Sequence, residues 1–512
     1  VKDLLVPAIV SAVFLLLVWG SGEPYPTQDG PAHLYNSSLL LQWAGGESDA
    51  AVSRVYELRP EYTASLPGHL ILGLFLRLAG TARAENVLIS LYGLALIWVL
   101  SRGVGPEGPP RAIQYLSLPL AMNLCLDMGF YNFCLALPCL LRAVTWWAGG
   151  SAHAAGAAGA FLALLTAVLH PAAGMILLCT IAAVASVEAL ALPRRERRGA
   201  LRCLPPLTPA ALFLAFHLAG GPQGSIAWHD PRARLAEVLI PLALFHGSDL
   251  SLLVATATGA FLWLRVGGLL RQWRTAERHT VRLLGAAGVL LAALFLAPDE
   301  AAGGGYIGLR LNTVFFLLLL CAVGTARPPE ASPPASRVAG PALALASVVV
   351  ILWATGASQG RFSALMRLRA EIPEASTVLG IAAGDWLRQD ADSLVPPVAR
   401  PNLHAPMYVG VGRDVAVLNN YEARRDYFPV RYREGMSPFG SVLRADDDEW
   451  RFAELRPLTG SGACASDFLV WEHWARPETR QAFAGDALEG VARRYDAVAE
   501  AGAYTLFRCQ AR

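Results

Sequence analysis

Two carboxylates in polar, aromatic-flanked stretches are the groups from which this chain could do chemistry. Asp29 stands in Tyr25-Pro26-Thr27-Gln28-Asp29-Gly30-Pro31-Ala32-His33, shortly after an apolar run ends at Gly20. Asp127 stands between two apolar runs in Cys125-Leu126-Asp127-Met128-Gly129-Phe130-Tyr131-Asn132. A carboxylate at mid-bilayer costs about 2.5–3.5 kcal/mol on the insertion scale, so Asp127 is expected at an interface or on a polar cavity. Tyr131 and Asn132 add polar groups to the same mouth. Arg310 opens another apolar run, and a planar guanidinium at an interface suits a phosphate. His170, before Pro171, and His33, near the start of a helix, are further candidates to touch a substrate. Each has a plainer reading. Asp29 before Gly30-Pro31 makes a good helix N-cap, Asp127 could simply end a helical hairpin, His170 could be a hydrogen-bonded loop residue, and Arg310 an interfacial anchor.

These groups need a membrane frame. The chain has 512 residues, of which 54% are hydrophobic and 16% charged. Its mean hydropathy is +0.41, the composition of a polytopic membrane protein. A net charge of +2 gives no sign of nucleic-acid binding. Eleven runs are candidate spans: 4–20, 85–101, 112–126, 129–147, 155–170, 172–192, 204–219, 250–264, 281–297, 309–325 and 338–356. The first reads as a retained helix rather than a cleaved signal peptide. Residues 66–80 reach only about 22 Å as a helix and contain Arg77, so they are expected on the membrane surface.

Sidedness follows from the arginines. With 66–80 kept out of the bilayer, Arg102, Arg111, the Arg194–Arg198 run, the Arg265–Arg282 cluster, Arg327 and Arg337 all fall on one face. That face is cytoplasmic by the positive-inside bias. The N-terminus is then cytoplasmic, while residues 21–84, Asp127, His170 and everything after about 357 lie outside. Within 21–84, Ala32, Tyr35, Leu39 and Trp43 recur at helical spacing and suggest a helix lying on the membrane.

After residue 356 the apolar runs shorten and charge rises, so 1–356 reads as a transmembrane domain and 357–512 as a soluble α/β domain. Strand-like segments occur at Thr377–Ala382, Val415–Leu418, Phe468–Trp471 and Tyr504–Arg508. Cys464 and Cys509 are the two cysteines of this polar part. They suit a disulfide in an oxidising compartment, or are two unrelated thiols. The segment from Asn419 to Pro429, with Tyr421, Glu422 and Arg424, reads as structural, the alternatives being contact with an acceptor or docking on the membrane part. The loop from Trp228 to Arg234 mixes an aromatic with charged groups and is of low specificity. No dinucleotide fingerprint, P-loop, nucleophile elbow or HExxH motif occurs, and no cysteine pattern has zinc spacing.

The arrangement resembles the GT-C superfamily of membrane glycosyltransferases, which use sugars carried on polyprenyl phosphate. The resemblance rests on Gln28-Asp29-Gly30-Pro31-Ala32-His33 just after the first span and on Asp127-Met128-Gly129-Phe130-Tyr131-Asn132 after the third. It implies a GT-C-like bundle of about 11 transmembrane helices with a C-terminal extracytoplasmic α/β domain, set in a bacterial inner membrane. It also implies a polyprenyl-phosphate-linked sugar donor and a lipid, protein or glycan acceptor. Asp29 would be the general base and Arg310 the partner of the leaving phosphate, with His170 a weaker choice and Asp127 orienting the acceptor. The second acid stands alone here, which favours the metal-independent branch. No resident metal or cofactor is therefore expected, a divalent cation being the less favoured option. The rival reading is a non-catalytic transporter or a scaffold for envelope assembly.

Overall fold

In the computed structural model the described residues are 4–46, 50–59, 63–102, 114–193, 197, 201–219, 226–228, 231–246, 248–272, 276–301, 305–325, 334–356, 358, 360–381, 399, 403–425, 428–438, 464, 466–472, 491 and 493–510. They fall into two compact units. Unit 1 is Val1–Gly20, Ile89–Gly356 and Pro396–Ala399; unit 2 is Ser21–Leu88, Ala357–Val395 and Arg400–Arg512. Residues 21–88, read above as an outer loop of the transmembrane part, therefore fold together with the C-terminal segment.

Unit 1 is helical. Among the described residues six helices are long and apolar enough to cross a membrane: Ala84–Arg102, Pro171–Ala191, Asp249–Arg271, Arg278–Leu296, Ile307–Thr325 and Pro334–Gly356, whose apolar part begins at Val338. Ile307–Thr325 is enclosed by its neighbours over 89% of its length and is apolar all round, as a central helix must be. Asp249–Arg271 and Arg278–Leu296 are largely open, turning Leu253, Leu264 and Leu296 outward. Such a surface is what lipid would cover. In the same unit Phe14 lies so close to Gly93 that a Cβ there would fall inside its ring, so glycine sets that helix approach.

Eleven spans are not what these residues form. Runs 4–20, 155–170 and 204–219 give the shorter apolar helices Leu5–Trp19, Ala157–Leu169 and Pro205–Ala219. At 1.5 Å per residue, 13 to 15 residues reach only about 20–23 Å, against a hydrocarbon core of about 30 Å. Run 112–126 breaks into Ser117–Ala121 and Leu124–Asp127, because Asn123 takes an extended conformation and caps the second helix by accepting from Leu126 N at 3.2 Å. Run 129–147 becomes Tyr131–Ala148, which starts on polar residues and contains Pro138, and it is not one of the six. Apolar content marked burial in these places rather than a continuous span.

Unit 2 is built on a five-stranded sheet. Its strands are β2 (Ser376–Ile381), β3 (Val415–Val417), β5 (Phe468–Glu472), β6 (Tyr495–Ala501) and β7 (Tyr504–Cys509), in the order β3-β2-β5-β7-β6. The β3, β2 and β5 strands run parallel, and β5, β7 and β6 antiparallel. A second, two-stranded sheet joins β1 (Tyr56–Leu58) of the N-terminal loop to β4 (Val430–Tyr432). β6, β1 and β4 carry no clear alternation and were not legible as strands.

The helix Gly30–Ala44 packs into this unit rather than offering an apolar stripe to lipid. Ala32, Tyr35 and Leu39 are fully buried. The Tyr35 hydroxyl donates to Val415 O at 2.9 Å and accepts from Val417 N at 3.1 Å, so it pins the helix to β3. The helix Leu66–Ala79 buries Gly68, His69, Leu72 and Gly73 and leaves Leu70, Leu74 and Leu78 exposed four residues apart. That open stripe is the kind an interfacial helix presents.

A disulfide joins Cys464 to Cys509 across 45 residues of sequence. In the chain-entropy model a loop of 45 residues is stabilised by about 4 kcal/mol. Cys464→Ser should therefore lower the unfolding midpoint of unit 2, with reductant doing the same to the parent chain but not to the variant. Thermal unfolding with and without reductant checks this.

Candidate functional site

Both units carry buried clusters of ionisable side chains. In unit 2 one is built from three sequence-distant pieces: the start of Gly30–Ala44, the helix Leu66–Ala79, and the segment 403–428. Asp29 directly precedes the first helix, yet its side chain makes no capping hydrogen bond. The simple N-cap reading of this residue therefore fails. Its carboxylate is held instead by Gln28, whose Nε2 donates to Oδ1 at 3.3 Å, and by a hydrogen bond with Tyr421.

Burial dominates the acidity of Asp29. Desolvation pushes it up to about 6, against the lowering effects of the His33 charge and the Gln28 and Tyr421 hydrogen bonds, with Glu422 adding a little upward. A carboxylate at that value is mostly ionised at neutral pH yet basic enough to accept a proton, which is the tuning a general base requires. His404 Nε2 lies 3.5 Å from Asp29 Oδ1. Burial pushes His404 down to about 3, with Glu422 opposing and His33 assisting. The imidazole is therefore neutral at pH 7, and this approach is a polar contact rather than an ion pair. His404 stacks on Tyr421 at 4.6 Å between ring centroids.

One turn along the helix from Asp29, His33 faces Glu422, with Nδ1 at 2.6 Å from Oε1. His69 faces the other oxygen, Nε2 at 2.8 Å from Oε2. Asn36 Nδ2 donates to the same Oε2 at 2.9 Å and exchanges hydrogen bonds with the Asn420 amide. Burial alone would raise Glu422, but the charges and hydrogen bonds of His33 and His69 outweigh it and hold the carboxyl at about 2. Phe428 packs against both histidine rings. Among the described residues these three side chains, His33, His69 and Glu422, form a group whose donor atoms could hold a metal, all lying within 4.8 Å of one another.

In unit 1, Asp127 ends the short helix Leu124–Asp127, and its Oδ2 lies 2.5 Å from His246 Nδ1. Both side chains are buried. Tyr131 is buried one turn on, and Asn132 is half-buried. The Arg310 guanidinium lies over the Phe130 ring at 4.6 Å and donates to Gly305 O at 2.5 Å. His170 caps the helix Pro171–Ala191, its Nδ1 accepting from Ala173 N at 3.3 Å, and packs on Phe133.

The sequence reading found Asp29, His33, Asp127 and Arg310 but not the groups facing them. His246 sits in an apolar stretch with no spacing signal, and His69 lies in a segment read for its membrane placement. His404 was passed over, and Glu422 was noted only as one member of a structural cluster. The loop from Trp228 to Arg234 lies partly outside the described residues; within it Arg234 is buried in an ion pair with Glu237 at 2.7 Å and a longer contact to Asp299 at 3.4 Å.

The two carboxylates of unit 2 load stability in opposite senses. The folded pKa of Asp29 lies above its ordinary 3.8, so stability is lost as pH rises from about 4 through about 6. That shift of roughly two units is worth about 3 kcal/mol. Asp29→Asn should therefore gain on the parent chain between pH 4 and pH 8 by a difference of that order, read from unfolding midpoints at the two pH values. Glu422 is depressed, so its contribution is present above about 4.5 and is lost as pH falls towards about 2. Glu422→Gln should destabilise at neutral pH by about 3–5 kcal/mol, an effect that shrinks in acid. Neither a protein-family model nor a curated protein matches this sequence.

Proposed function

We propose that the chain is a membrane glycosyltransferase of the GT-C kind, moving a sugar from a polyprenyl-phosphate donor to an extracytoplasmic acceptor. The observation that carries this reading is Asp29: a buried carboxylate raised to about 6, spared from helix capping and held by Gln28 and Tyr421. In the proposed step Asp29 takes the proton of an acceptor hydroxyl as its oxygen attacks the anomeric carbon. The bond from that carbon to the phosphate oxygen breaks, and the electron pair leaves on the polyprenyl phosphate. A phosphate needs no protonation to depart when cationic groups stabilise its charge.

Topology supports the placement of such a site. Residues 21–88 and the C-terminal segment belong to one folded body, so they share one side of any membrane that the intervening helices cross. The number of crossings between them is then even, and six satisfies this. Six alone, however, would put the arginine run at 194–198 on that same side, against the positive-inside bias. If the short helices Ala157–Leu169 and Pro205–Ala219 also cross, with the bilayer thinned locally to meet their reach of about 20–23 Å, the count stays even and the run moves to the opposite, cytoplasmic face. We therefore favour at least eight crossings with unit 2 extracytoplasmic, in a bacterial inner membrane.

A second reading draws on the buried Asp127–His246 pair, since ionisable pairs within a helical membrane unit also mark proton-coupled transport. The two separate cleanly. Purified protein should transfer a labelled sugar from a polyprenyl-phosphate donor to an acceptor, with an acid limb near pH 6. Asp29→Asn should lower the rate by at least about a hundredfold while leaving expression and unfolding cooperativity intact. Near-normal transfer in that variant refutes the assignment of Asp29, and transport that survives the substitution favours the second reading.

A further inference from the structure

We infer that His33, His69 and Glu422 form a binding site for a divalent transition-metal cation of the zinc class. The argument stands on the donor atoms. His69 Nδ1 lies 2.9 Å from Ser65 O, a carbonyl that can only accept. The Nδ1 proton is thereby fixed, and a neutral imidazole then aims its Nε2 lone pair at Glu422 Oε2, 2.8 Å away. A lone pair facing a carboxylate oxygen is repulsive unless a cation lies between them, either a second proton or a metal. Histidine ligands of metals are held in this way, one ring nitrogen donating to a backbone carbonyl while the other binds the ion.

The rest of the site has the same character. Asn36 donates to Glu422 Oε2 at 2.9 Å, which orients the carboxylate from behind. Its other oxygen faces His33 Nδ1 at 2.6 Å. The three donors come from separate elements yet lie within 4.8 Å of one another. Zinc with ligands at about 2.0–2.2 Å holds them roughly 3.3 Å apart, so to admit the ion the carboxylate must withdraw by about half an ångström from each histidine while the donors, now within 4.8 Å of one another, draw in around it. Glu422 and His69 are sealed from solvent, whereas the His33 side chain is 13% exposed. An ion would enter on that side. Two histidines and one carboxylate leave a coordination position open, the pattern of zinc sites that keep a water or substrate ligand and of non-haem iron sites. A single divalent ion also replaces two buried protons in neutralising the carboxylate, through three bonds at once.

This inference does not rest on the glycosyltransferase reading, because cation uptake is measured without any reaction. The full chain, purified in detergent and stripped with chelator, is titrated with Co2+ and followed by its visible d–d absorption and by calorimetry. We expect one Co2+ per chain without the intense near-ultraviolet band of thiolate ligation. Affinity should fall by at least about tenfold in His69→Gln and in Glu422→Gln, with His153→Gln binding like the parent. If the parent takes up no Co2+, or either variant binds it as the parent does, the site does not exist. Should both variants fail to fold, the stripped parent decides: added Zn2+ must raise its unfolding midpoint and chelator must reverse the rise, and no change overturns the proposal.

Discussion

The buried charge of Glu422 ties the N-terminal and C-terminal pieces of unit 2 together. Glu422 is fully enclosed, and an isolated carboxylate there would cost several kcal/mol. It is tolerated because His33, His69 and Asn36 all turn towards it, from two helices of the N-terminal loop. The compensation is so complete that the carboxyl ends at about 2 although burial alone would raise it. A charge satisfied in this way binds segments more than 350 residues apart in sequence to one geometry. Removing any partner leaves the others desolvated and unpaired, which is why such centres fix register even where they add little net stability.

Asp29, in the same cluster, has a different character set chiefly by its burial. Burial acts on both carboxylates, but only at Glu422 do the neighbouring histidines outweigh it. Glu422 has the charges and hydrogen bonds of both histidines and stays ionised; Asp29 has the His33 charge and the Gln28 and Tyr421 hydrogen bonds, which do not offset its burial, and its affinity for a proton rises. Pairs of titratable groups pushed apart in this way mark sites where one group holds structure and the other exchanges protons. The division of labour follows from which carboxylate both histidines hydrogen-bond.

Much of the frame was legible in the sequence, and the reasons it stopped are physical. Hydropathy located nearly every helix of unit 1, since apolar content is a property of residues. It overcounted spans because continuity is a property of the backbone: Asn123 interrupts one run, and others end after three or four turns. Strands β2, β3, β5 and β7 were visible as short β-branched or aromatic runs, while β6, with Asp496 and Glu500 in its middle, was not. Among site residues, Asp29 and His33 were found because they stand in a compact polar motif. Glu422, His69 and His404 were missed because each is a single polar residue in its own stretch, and only tertiary contact gives it meaning. The alternation of Ala32, Tyr35 and Leu39 was read correctly as one helix face, but the partner of that face was assigned to lipid when it is β3. A tyrosine with an apolar body and a polar tip suits either environment.

That helix shows how packing and chemistry are coupled in this unit. Tyr35 bonds to both Val415 and Val417 and is fully buried, so the helix cannot rotate about its axis without breaking two hydrogen bonds in a dry interior. Asp29 and His33 lie within two turns of that anchor, on a rigid element, and their positions are fixed to the precision of a packed core rather than of a loop. The sheet strand that receives Tyr35 leads directly, through Asn420, to Glu422 itself. Strand, helix and ionised cluster are therefore one mechanical object, and a perturbation at β3 should be felt first as a displacement of Glu422 relative to His33. The 2.6 Å separation of those two groups leaves little room for such a shift before the charge loses its partner.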